Sequence, residues 1–344
     1  MTDRDRVYER FQLIANGPAL FNALVTATDL DIFGYLSAHP DAEFTELQEF
    51  TGLEAHKLRV LLLGLCATEL VTRNGDRYAN HPVAEELLAP ETADSWRHTL
   101  RSWHRLYYPA FYRMTQALQA GTNATLSAHD GDEPTLYERL AHDAELEKIF
   151  HDAMAAFTLR TMAGLLDGPG WASARHLLDV GGGNGTNAQH LARRHPDLRV
   201  TVLDLPSVVG LARESLPEDL AGRVEFLAGD MFELPFPQGP NTVLFSHLLD
   251  TVSEAQAREL IGKAYTMLPP GGRIVIYGFM ADDDERGGVI AARLSLYLNV
   301  LATGRGMAWP ARDCADWLRH AGCADVTVTP DLPYEHALVV GTKP

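Results

Sequence analysis

The sequence predicts an α/β protein, with a parallel, doubly wound sheet in its second half and an all-α region before it. The first observation is a change of pattern near residue 170. Before that point, apolar residues recur at helical spacing, as at Leu58, Leu61 and Leu65. After it, short runs rich in β-branched residues alternate with amphipathic stretches, which is typical of β–α–β units. The predicted strands are HLLDV (176–180), RVTVLDL (199–205), VEFLAGD (224–230), TVLFSHLL (242–249), RIVIYGF (273–279), DVTVT (325–329) and HALVVGT (336–342).

Composition and charge exclude several classes of protein. The chain has 344 residues, of which 46% are hydrophobic and 22% charged, so it is long enough for two or three domains with a substantial core. Its formal net charge of −17 disfavours binding to nucleic acid or to anionic lipid. The three cysteines have no metal-ligand spacing, and the charged N-terminus lacks the apolar region of a signal peptide. We therefore expect a soluble cytoplasmic protein.

Three parts are predicted along the chain: residues 1–100, a helical linker over 101–170, and a ligand-binding domain over 171–344. The turn-rich segment GPGWAS (168–173) marks the last boundary. In the first part, several short helices precede a hairpin predicted around Asn74-Gly75. Helices followed by such a hairpin are typical of a winged helix, which contacts either DNA or another protein chain. The acidic balance favours protein contact, so this part is predicted to serve dimerisation.

The most informative segment is LLDVGGGNGTNA (177–188), where a strand leads through a glycine-rich turn into a helix. Glycine permits positive φ and the close approach of a ligand to the backbone. A dinucleotide such as NAD is the competing ligand, because the fingerprint G-x-G-x-x-G/A can be fitted to this loop. Asp179 tips the choice, since a carboxylate beside the loop repels a pyrophosphate and suits the ammonium and sulfonium groups of S-adenosylmethionine.

Two further acidic residues follow the next two strands. Asp204 ends the second strand, where a carboxylate can accept both hydroxyls of a ribose. Asp230 ends the third strand and is placed to receive a donor such as an adenine amino group. Three acidic strand ends in succession predict a nucleoside site that binds S-adenosylmethionine.

These residues resemble the class I S-adenosylmethionine-dependent methyltransferases, and more narrowly the caffeate-type small-molecule O-methyltransferases with bacterial members in natural-product pathways. The resemblance covers nearly the whole chain, including FHDAMAAFT (150–158). It implies a Rossmann-like seven-stranded sheet whose last strand is antiparallel, preceded by an all-α, winged-helix-like dimerisation domain, and therefore a homodimer. It also implies which residues bind S-adenosylmethionine: Asp179, Gly181, Gly182, Gly183, Asp204, Leu205, Asp230, Met231, Phe232 and Ser246.

The sequence departs from the family pattern at the catalytic base. In most of these enzymes the fourth strand leads into a histidine followed by Asp-Trp, and that histidine deprotonates the acceptor hydroxyl. Here, aligning Asp250 and Glu254 with the pattern puts Leu249 at that position. His247 is then the candidate base, on the expectation that positions 247 and 249 of an extended strand share a face. Alternatively, His247 and Asp250 ligate a divalent metal.

The acceptor is predicted to be small and aromatic. By resemblance Met154 and Phe157 line its pocket, while Arg160 or Arg293 is a candidate partner for a carboxylate. Aromatic side chains, among them Trp103 and Tyr297, offer a wall for a planar ring. The loss of the base favours carbon methylation of an aromatic 2-oxo acid, whose enol is already nucleophilic. O-methylation of a phenolic natural product, and decarboxylation or hydroxylation on the same fold, are the alternatives.

Overall fold

The computed structural model describes residues 2–171 and 173–344. The chain divides into two compact units, Met1–Arg105 and Leu106–Pro344. No helix within the described residues is long and apolar enough to cross a membrane.

The first unit is mainly helical and contains one small sheet. Its three strands pair antiparallel in the order β1-β3-β2. A π-helical turn, Trp103–Tyr107, follows its last helix. The elements of this unit are α1 (Asp3–Ala15), α2 (Gly17–Asp29), α3 (Ile32–Ala38), β1 (Ala42–Glu43), α4 (Phe44–Thr51), α5 (Ala55–Ala67), β2 (Val71–Asn74), β3 (Arg77–Asn80), α6 (Pro82–Leu88) and α7 (Trp96–Ser102).

Local sequence accounts for the first unit well. Helix α5 buries Leu58 and Leu65, whose spacing predicted it, in a core shared with α3 and β3. The predicted hairpin is present, and the register pairs Asn74 with Arg77. The turn therefore consists of Gly75 and Asp76, one residue later than expected, with Gly75 at φ +66° where a side chain would be strained.

The second unit contains a seven-stranded sheet in the order β6-β5-β4-β7-β8-β10-β9. All its pairs are parallel except those of β10, which runs antiparallel to β8 and to β9. The strands are β4 (His176–Val180), β5 (Arg199–Asp204), β6 (Val224–Ala228), β7 (Thr242–Ser246), β8 (Arg273–Phe279), β9 (Ala324–Leu332) and β10 (His336–Thr342). The α-helices are α8 (Tyr108–Phe111), α9 (Met114–Ala120), α10 (Leu136–Arg139), α11 (Ala144–Leu166), α12 (Thr186–Arg194), α13 (Pro206–Ser215), α14 (Glu254–Met267), α15 (Val289–Tyr297) and α16 (Ala311–Ala321).

The large sheet confirms the predicted Rossmann-like class, and all seven predicted strands are present, whereas the first part, predicted to be all-α, contains the small sheet of β1–β3. Helices cover both faces of the sheet, with one core among β7, α14 and α16 and the other among β5, α12 and α13. The parallel register brings the carboxyl ends of β4, β5, β6 and β7 to one edge. Ligands bind at this edge in open α/β sheets.

Three strands end earlier than predicted, β5 by one residue, β6 by two and β7 by three. Asp230 therefore lies two residues beyond β6 and not at its end, and the change in β7 matters most for the site. Strand β7 stops at Ser246, and His247 has a left-handed backbone with φ +51°. A short 3-10 turn, Leu249–Thr251, then leads toward α14. The expectation that positions 247 and 249 lie on one face of an extended strand is therefore wrong, because the chain turns out of the sheet between them.

Candidate active site

The glycine-rich turn after β4 is shaped by packing on one side and is open on the other. A Cβ on Gly182 would lie 2.7 Å from Oδ2 of Asp179, so a side chain there would displace the carboxyl group. A Cβ on Gly183 would meet no atom within 4 Å of the described residues, although its φ of +60° disfavours a side chain. The turn thus covers Asp179 and presents open backbone at Gly183.

Asp179 lies beneath this turn as a fully buried carboxyl group. Among the residues that the structure describes, neither of its oxygens has a hydrogen-bond partner. Burial, together with the nearby charge of Asp204, raises the pKa of Asp179 to about 8. A cation bound above the turn would favour the ionised form, so the site is suited to a positively charged ligand.

Asp204 connects the end of β5 to the same turn. Its Oδ2 accepts a hydrogen bond from the Gly183 amide at 2.7 Å, and its Oδ1 accepts one from the Leu205 amide at 2.8 Å. Burial raises the pKa of Asp204, and these two hydrogen bonds oppose the shift. Each carboxylate oxygen keeps a further lone pair, so both remain able to accept hydroxyl groups of a ribose.

The loop after β6 is fixed by a lysine that sequence reasoning missed. Asp230 is exposed, and its Oδ1 accepts a hydrogen bond from the Phe232 amide at 2.8 Å. The ammonium of Lys263 on α14 donates to three carbonyl oxygens of this loop, those of Met231 at 2.6 Å, Phe232 at 3.0 Å and Leu234 at 2.9 Å. No local pattern around Lys263 indicates this role, because its partners lie about thirty residues earlier.

These features fit S-adenosylmethionine. Open backbone at Gly183, the carboxylate of Asp204 and the loop beginning at Asp230 follow one another along the edge of the sheet, in the order that a nucleoside with a cationic tail requires. Ser246, which is 7% exposed, ends the neighbouring strand β7. When bound, this group supplies an electrophilic methyl on a sulfonium.

His247 is half-buried and lies in a chain of hydrogen bonds. Its Nε2 lies 2.7 Å from Nε2 of His336, and its Nδ1 lies 3.3 Å from Oγ of Ser246. Burial and the neighbouring His336 lower the pKa of His247 well below its usual range. Both ring nitrogens thus face partners within the protein, an arrangement that favours a structural role for His247 over those of base or metal ligand.

The metal hypothesis is not supported. His247 faces His336 and Ser246, and within residues 2–171 and 173–344 no three His, Cys, Asp or Glu side chains cluster as metal ligands would.

Leu249 and Asp250 both lie buried in the turn after β7, at 3% and 8% exposure. The Trp309 indole donates to the Leu249 carbonyl at 3.0 Å and so fixes this turn. The turn borders a small cavity whose lining includes Met280. Within the described part of the chain, Oδ1 of Asp250 has no hydrogen-bond partner, and burial raises the pKa of this carboxyl to about 7.

The predicted acceptor residues in the second unit lie on two helices. On α11, Met154 and Arg160 are half-buried, and the buried ring of Phe157 packs edge-on against Phe279 with 5.6 Å between centroids. On α15, the buried ring of Tyr297 stacks on another aromatic ring, as described next. Trp103 belongs to the first unit, where its ring packs edge-on against Trp96 at 5.7 Å.

A cluster of tyrosines around Tyr297 was missed. The Tyr107 ring stacks on that of Tyr297 with centroids 3.9 Å apart, and the Arg293 guanidinium lies 5.6 Å from the Tyr107 centroid. The hydroxyls of Tyr107 and Tyr137 neighbour the buried Tyr297 hydroxyl. Burial, with smaller contributions from the nearby Tyr107 and Asp250, raises the pKa of the Tyr137 phenol. The sequence signal for this cluster was the number of aromatic residues within 103–112. These residues follow no helical or strand spacing, so the sequence did not show which of them pack together.

Comparison with known proteins identifies the family. Residues 111–324 match the O-methyltransferase domain family. A 3-hydroxy-5-methyl-1-naphthoate 3-O-methyltransferase of Streptomyces sahachiroi is 32% identical, with 96% of this chain and 94% of that protein aligned. An L-tyrosine C(3)-methyltransferase of Streptomyces lavendulae is 29% identical, with 95% of this chain and 90% of that protein aligned.

A solved structure of a methyltransferase has the same fold. The apo crystal structure of the S-adenosylmethionine-dependent methyltransferase SibL superposes with a TM-score of 0.84 at 32% identity, covering 97% of this chain and 99% of that one. The site geometry, the family match and these relatives show that the chain belongs to the O-methyltransferase domain family and is an S-adenosylmethionine-dependent methyltransferase of secondary metabolism.

Proposed function

We propose that this enzyme methylates a carbon atom of a small hydroxylated aromatic acceptor and that Asp250 accepts the proton which the acceptor loses. One observation carries the proposal. Leu249 occupies the position at which the family pattern has its histidine base, and a buried carboxyl group with an unpartnered oxygen follows it directly. Among the residues that the structure describes, none forms a hydrogen bond with this oxygen.

The replacement changes what the site can do chemically. Leucine takes no proton, and the loss of a general base lowers the rate by about 10²–10⁴-fold unless another group replaces it. The pKa of Asp250, about 7, lies near the pH at which such a group works best. His247 is a weaker candidate, because its nitrogens face Ser246 and His336.

An acceptor that is methylated on carbon depends less on its base than one that is methylated on oxygen. A free phenol has a pKa near 10, so a group with a pKa of about 7, whether carboxylate or histidine, removes its proton unfavourably by about three pKa units. An enol carbon, or a ring carbon beside a hydroxyl, is nucleophilic before that proton leaves. The aromatic 2-oxo acid predicted from the sequence belongs to the same class, through its enol.

The surroundings of Asp250 support an aromatic acceptor. The stacked, buried rings of Tyr107 and Tyr297 form an aromatic cluster that reaches Asp250 through Tyr137, and Arg293 adds a cation beside it. Two relatives are named for a hydroxynaphthoate and for L-tyrosine, which supports an acceptor that carries a hydroxylated ring and a carboxylate. Their names differ in the atom methylated, oxygen in one and carbon in the other.

The test uses S-adenosylmethionine with a ¹³C-labelled methyl group and a panel of hydroxylated aromatic acids, aromatic amino acids and aromatic 2-oxo acids. The chemical shift of the new NMR signal separates C–CH₃ from O–CH₃. We expect C–CH₃, with no effect of a chelator. An O–CH₃ product would overturn carbon methylation. Loss of the product on addition of the chelator would show that the reaction depends on a metal ion.

The role of Asp250 is tested separately. In Asp250→Asn, turnover should fall by about 100-fold while the affinity for S-adenosylhomocysteine is unchanged, because asparagine keeps the shape of the side chain and removes only its basicity. Asp219→Asn, the same chemical change at an exposed ion pair with Arg193, is the matched control. Full activity in Asp250→Asn would rule out this base.

A further inference from the structure

Hydrogen bonds link His336, His247, Ser246 and Asn187 in a row. Which atom donates in each of them is determined at His336. There, Nδ1 of His336 lies 3.1 Å from the carbonyl oxygen of Pro333 and 2.9 Å from that of Tyr334. Carbonyl oxygens only accept hydrogen bonds, so Nδ1 of His336 must carry the proton. Burial keeps this ring neutral, so its Nε2 is an acceptor.

The donor in each following hydrogen bond is then determined in turn. Since Nε2 of His336 accepts, Nε2 of His247 at 2.7 Å must donate, and Nδ1 of His247 is then the bare nitrogen. The hydroxyl of Ser246 donates to that nitrogen at 3.3 Å. Oγ of Ser246 therefore presents a lone pair on its other side, where the side chain of Asn187 lies.

The last link orients an amide beside the cofactor site. Nδ2 of Asn187 donates to Oγ of Ser246 at 3.0 Å. Asn187 lies in the first turn of α12, immediately after the glycine-rich turn, and is 8% exposed. Its Oδ1 receives no hydrogen bond from the residues described by the structure, so it is available to a ligand.

We propose that Oδ1 of Asn187 binds the α-ammonium group of S-adenosylmethionine, and that His336 is a positioning residue which holds the amide in this orientation through His247 and Ser246. An amide oxygen accepts from an ammonium group. The reversed amide would offer NH₂ and would suit the carboxylate instead, so the direction of the chain decides between the two ends of the methionine part. The buried carboxyl of Asp179 under the same turn adds attraction for a cation.

The proposal rests on S-adenosylmethionine as cofactor and is independent of the acceptor. Its test is calorimetric binding of three ligands: S-adenosylhomocysteine, the 3-aminopropyl thioether of adenosine, and methylthioadenosine. The second keeps the ammonium but lacks the carboxylate, and the third lacks both. Asn187→Leu should weaken the first two by about 10- to 100-fold, the range for a hydrogen bond to a charged group, and the third by less than about threefold.

Other outcomes overturn the proposal in distinct ways. Equal loss for all three ligands would mean that Asn187 only packs against the turn. Loss with S-adenosylhomocysteine alone would assign Asn187 to the carboxylate. Asn187→Asp has two acceptor oxygens, so it should bind both ammonium ligands within about threefold of the wild-type affinity. If Asn187 only packed against the turn, Asn187→Asp and Asn187→Leu would not differ in this way between the ammonium ligands and methylthioadenosine.

The positioning role of His336 is measured with the same ligands. His336→Phe removes the acceptor at the far end, so the amide loses its fixed orientation and both ammonium ligands should bind about three- to tenfold more weakly, with methylthioadenosine unchanged. Ser246→Ala cuts the chain next to Asn187 and serves if His336→Phe does not fold. Unchanged binding of the ammonium ligands in a folded variant of either kind would overturn the positioning role.

Discussion

The Nε2 atoms of His247 and His336 lie 2.7 Å apart and join the end of β7 to the start of β10. The contact spans the sheet across β8, since β8 separates these two strands. It also accounts for the left-handed backbone of His247, because a φ of +51° takes the residue out of the strand and is uncommon without glycine. The histidine is thus held by a tertiary contact that opposes the local preference of the chain.

The first prediction concerns turnover in His247→Asn. Asparagine tolerates the left-handed backbone, so the variant should fold, with a lower Tm because the contact to His336 is lost. At saturating S-adenosylmethionine, kcat should fall by less than about tenfold, since His247 faces Ser246 and His336. A fall of 100-fold or more with an unchanged Tm would restore His247 as the catalytic base.

The second prediction is a loss of stability in mild acid. Burial lowers the pKa of His336 to about 4, below the value near 6.5 of an exposed histidine. Between these values the unfolded chain binds the proton and the folded chain does not, so the free energy of unfolding decreases as the pH falls from 6.5 to 4. The decrease assigned to His336 is on the order of 3 kcal/mol.

Denaturant unfolding at several pH values measures this dependence. The variant His336→Gln lacks the titrating group, so its stability should change less over the same interval. His320→Gln, at an exposed position of α16, is the matched control and should keep the wild-type dependence. Identical pH profiles for wild type and His336→Gln would contradict the assignment.

The parts of the fold that were predictable are those encoded by neighbours in the sequence. The β-branched runs gave β4, β8 and β10 with their observed bounds, because a strand buried on both faces is a continuous apolar run. The glycine turn and Asp204 were predicted from neighbouring residues in the same way, since Asp204 is the last residue of its strand. Such signals need no knowledge of the rest of the chain.

The parts that sequence reasoning missed depend on distant partners. His247 continues an apolar run and reads as strand, but His336, which comes 89 residues later, turns it out of the sheet. The role of Lys263 depends on carbonyl oxygens, which carry no sequence signal. The pairing of Tyr107 with Tyr297 likewise joins a π-helical turn to α15 across a long stretch of chain.

The third prediction concerns Asp179→Asn. In the folded protein the pKa of Asp179 is raised to about 8, against a value near 3.9 in an unfolded chain. The folded state thus retains a proton that the unfolded state loses, and the unfolding free energy falls as the pH rises from 4 to 8. Asparagine removes this cost, so the Tm should rise at pH 9 and change little at pH 4.

Binding should change in the opposite direction. Ionised Asp179 attracts the sulfonium, so wild-type affinity for S-adenosylmethionine should increase with pH up to about 8, while Asp179→Asn binds more weakly and with a flat profile. Calorimetry in buffers of different ionisation enthalpy measures the proton released on binding. Loss of stability at pH 9 in Asp179→Asn, or a proton count unaffected by the substitution, would refute this role.

The last prediction separates the adenine end of the site from the methionine end. Lys263 donates to the carbonyl oxygens of Met231, Phe232 and Leu234, so Lys263→Met leaves three acceptors without their cation and loosens the loop that begins at Asp230. Because methylthioadenosine and S-adenosylhomocysteine share the adenine, both should bind about tenfold more weakly. Asn187→Leu, in contrast, should distinguish the two ligands.

Lys148→Met is the matched control for this substitution, since the Lys148 side chain is 74% exposed and forms an ion pair with Asp152 along α11. The control should bind both ligands with wild-type affinity. A Lys263→Met protein that also bound both ligands normally would show that the loop keeps its conformation without the lysine. Weakening of S-adenosylhomocysteine alone would place the effect of Lys263 at the methionine end and contradict its assignment to the adenine loop.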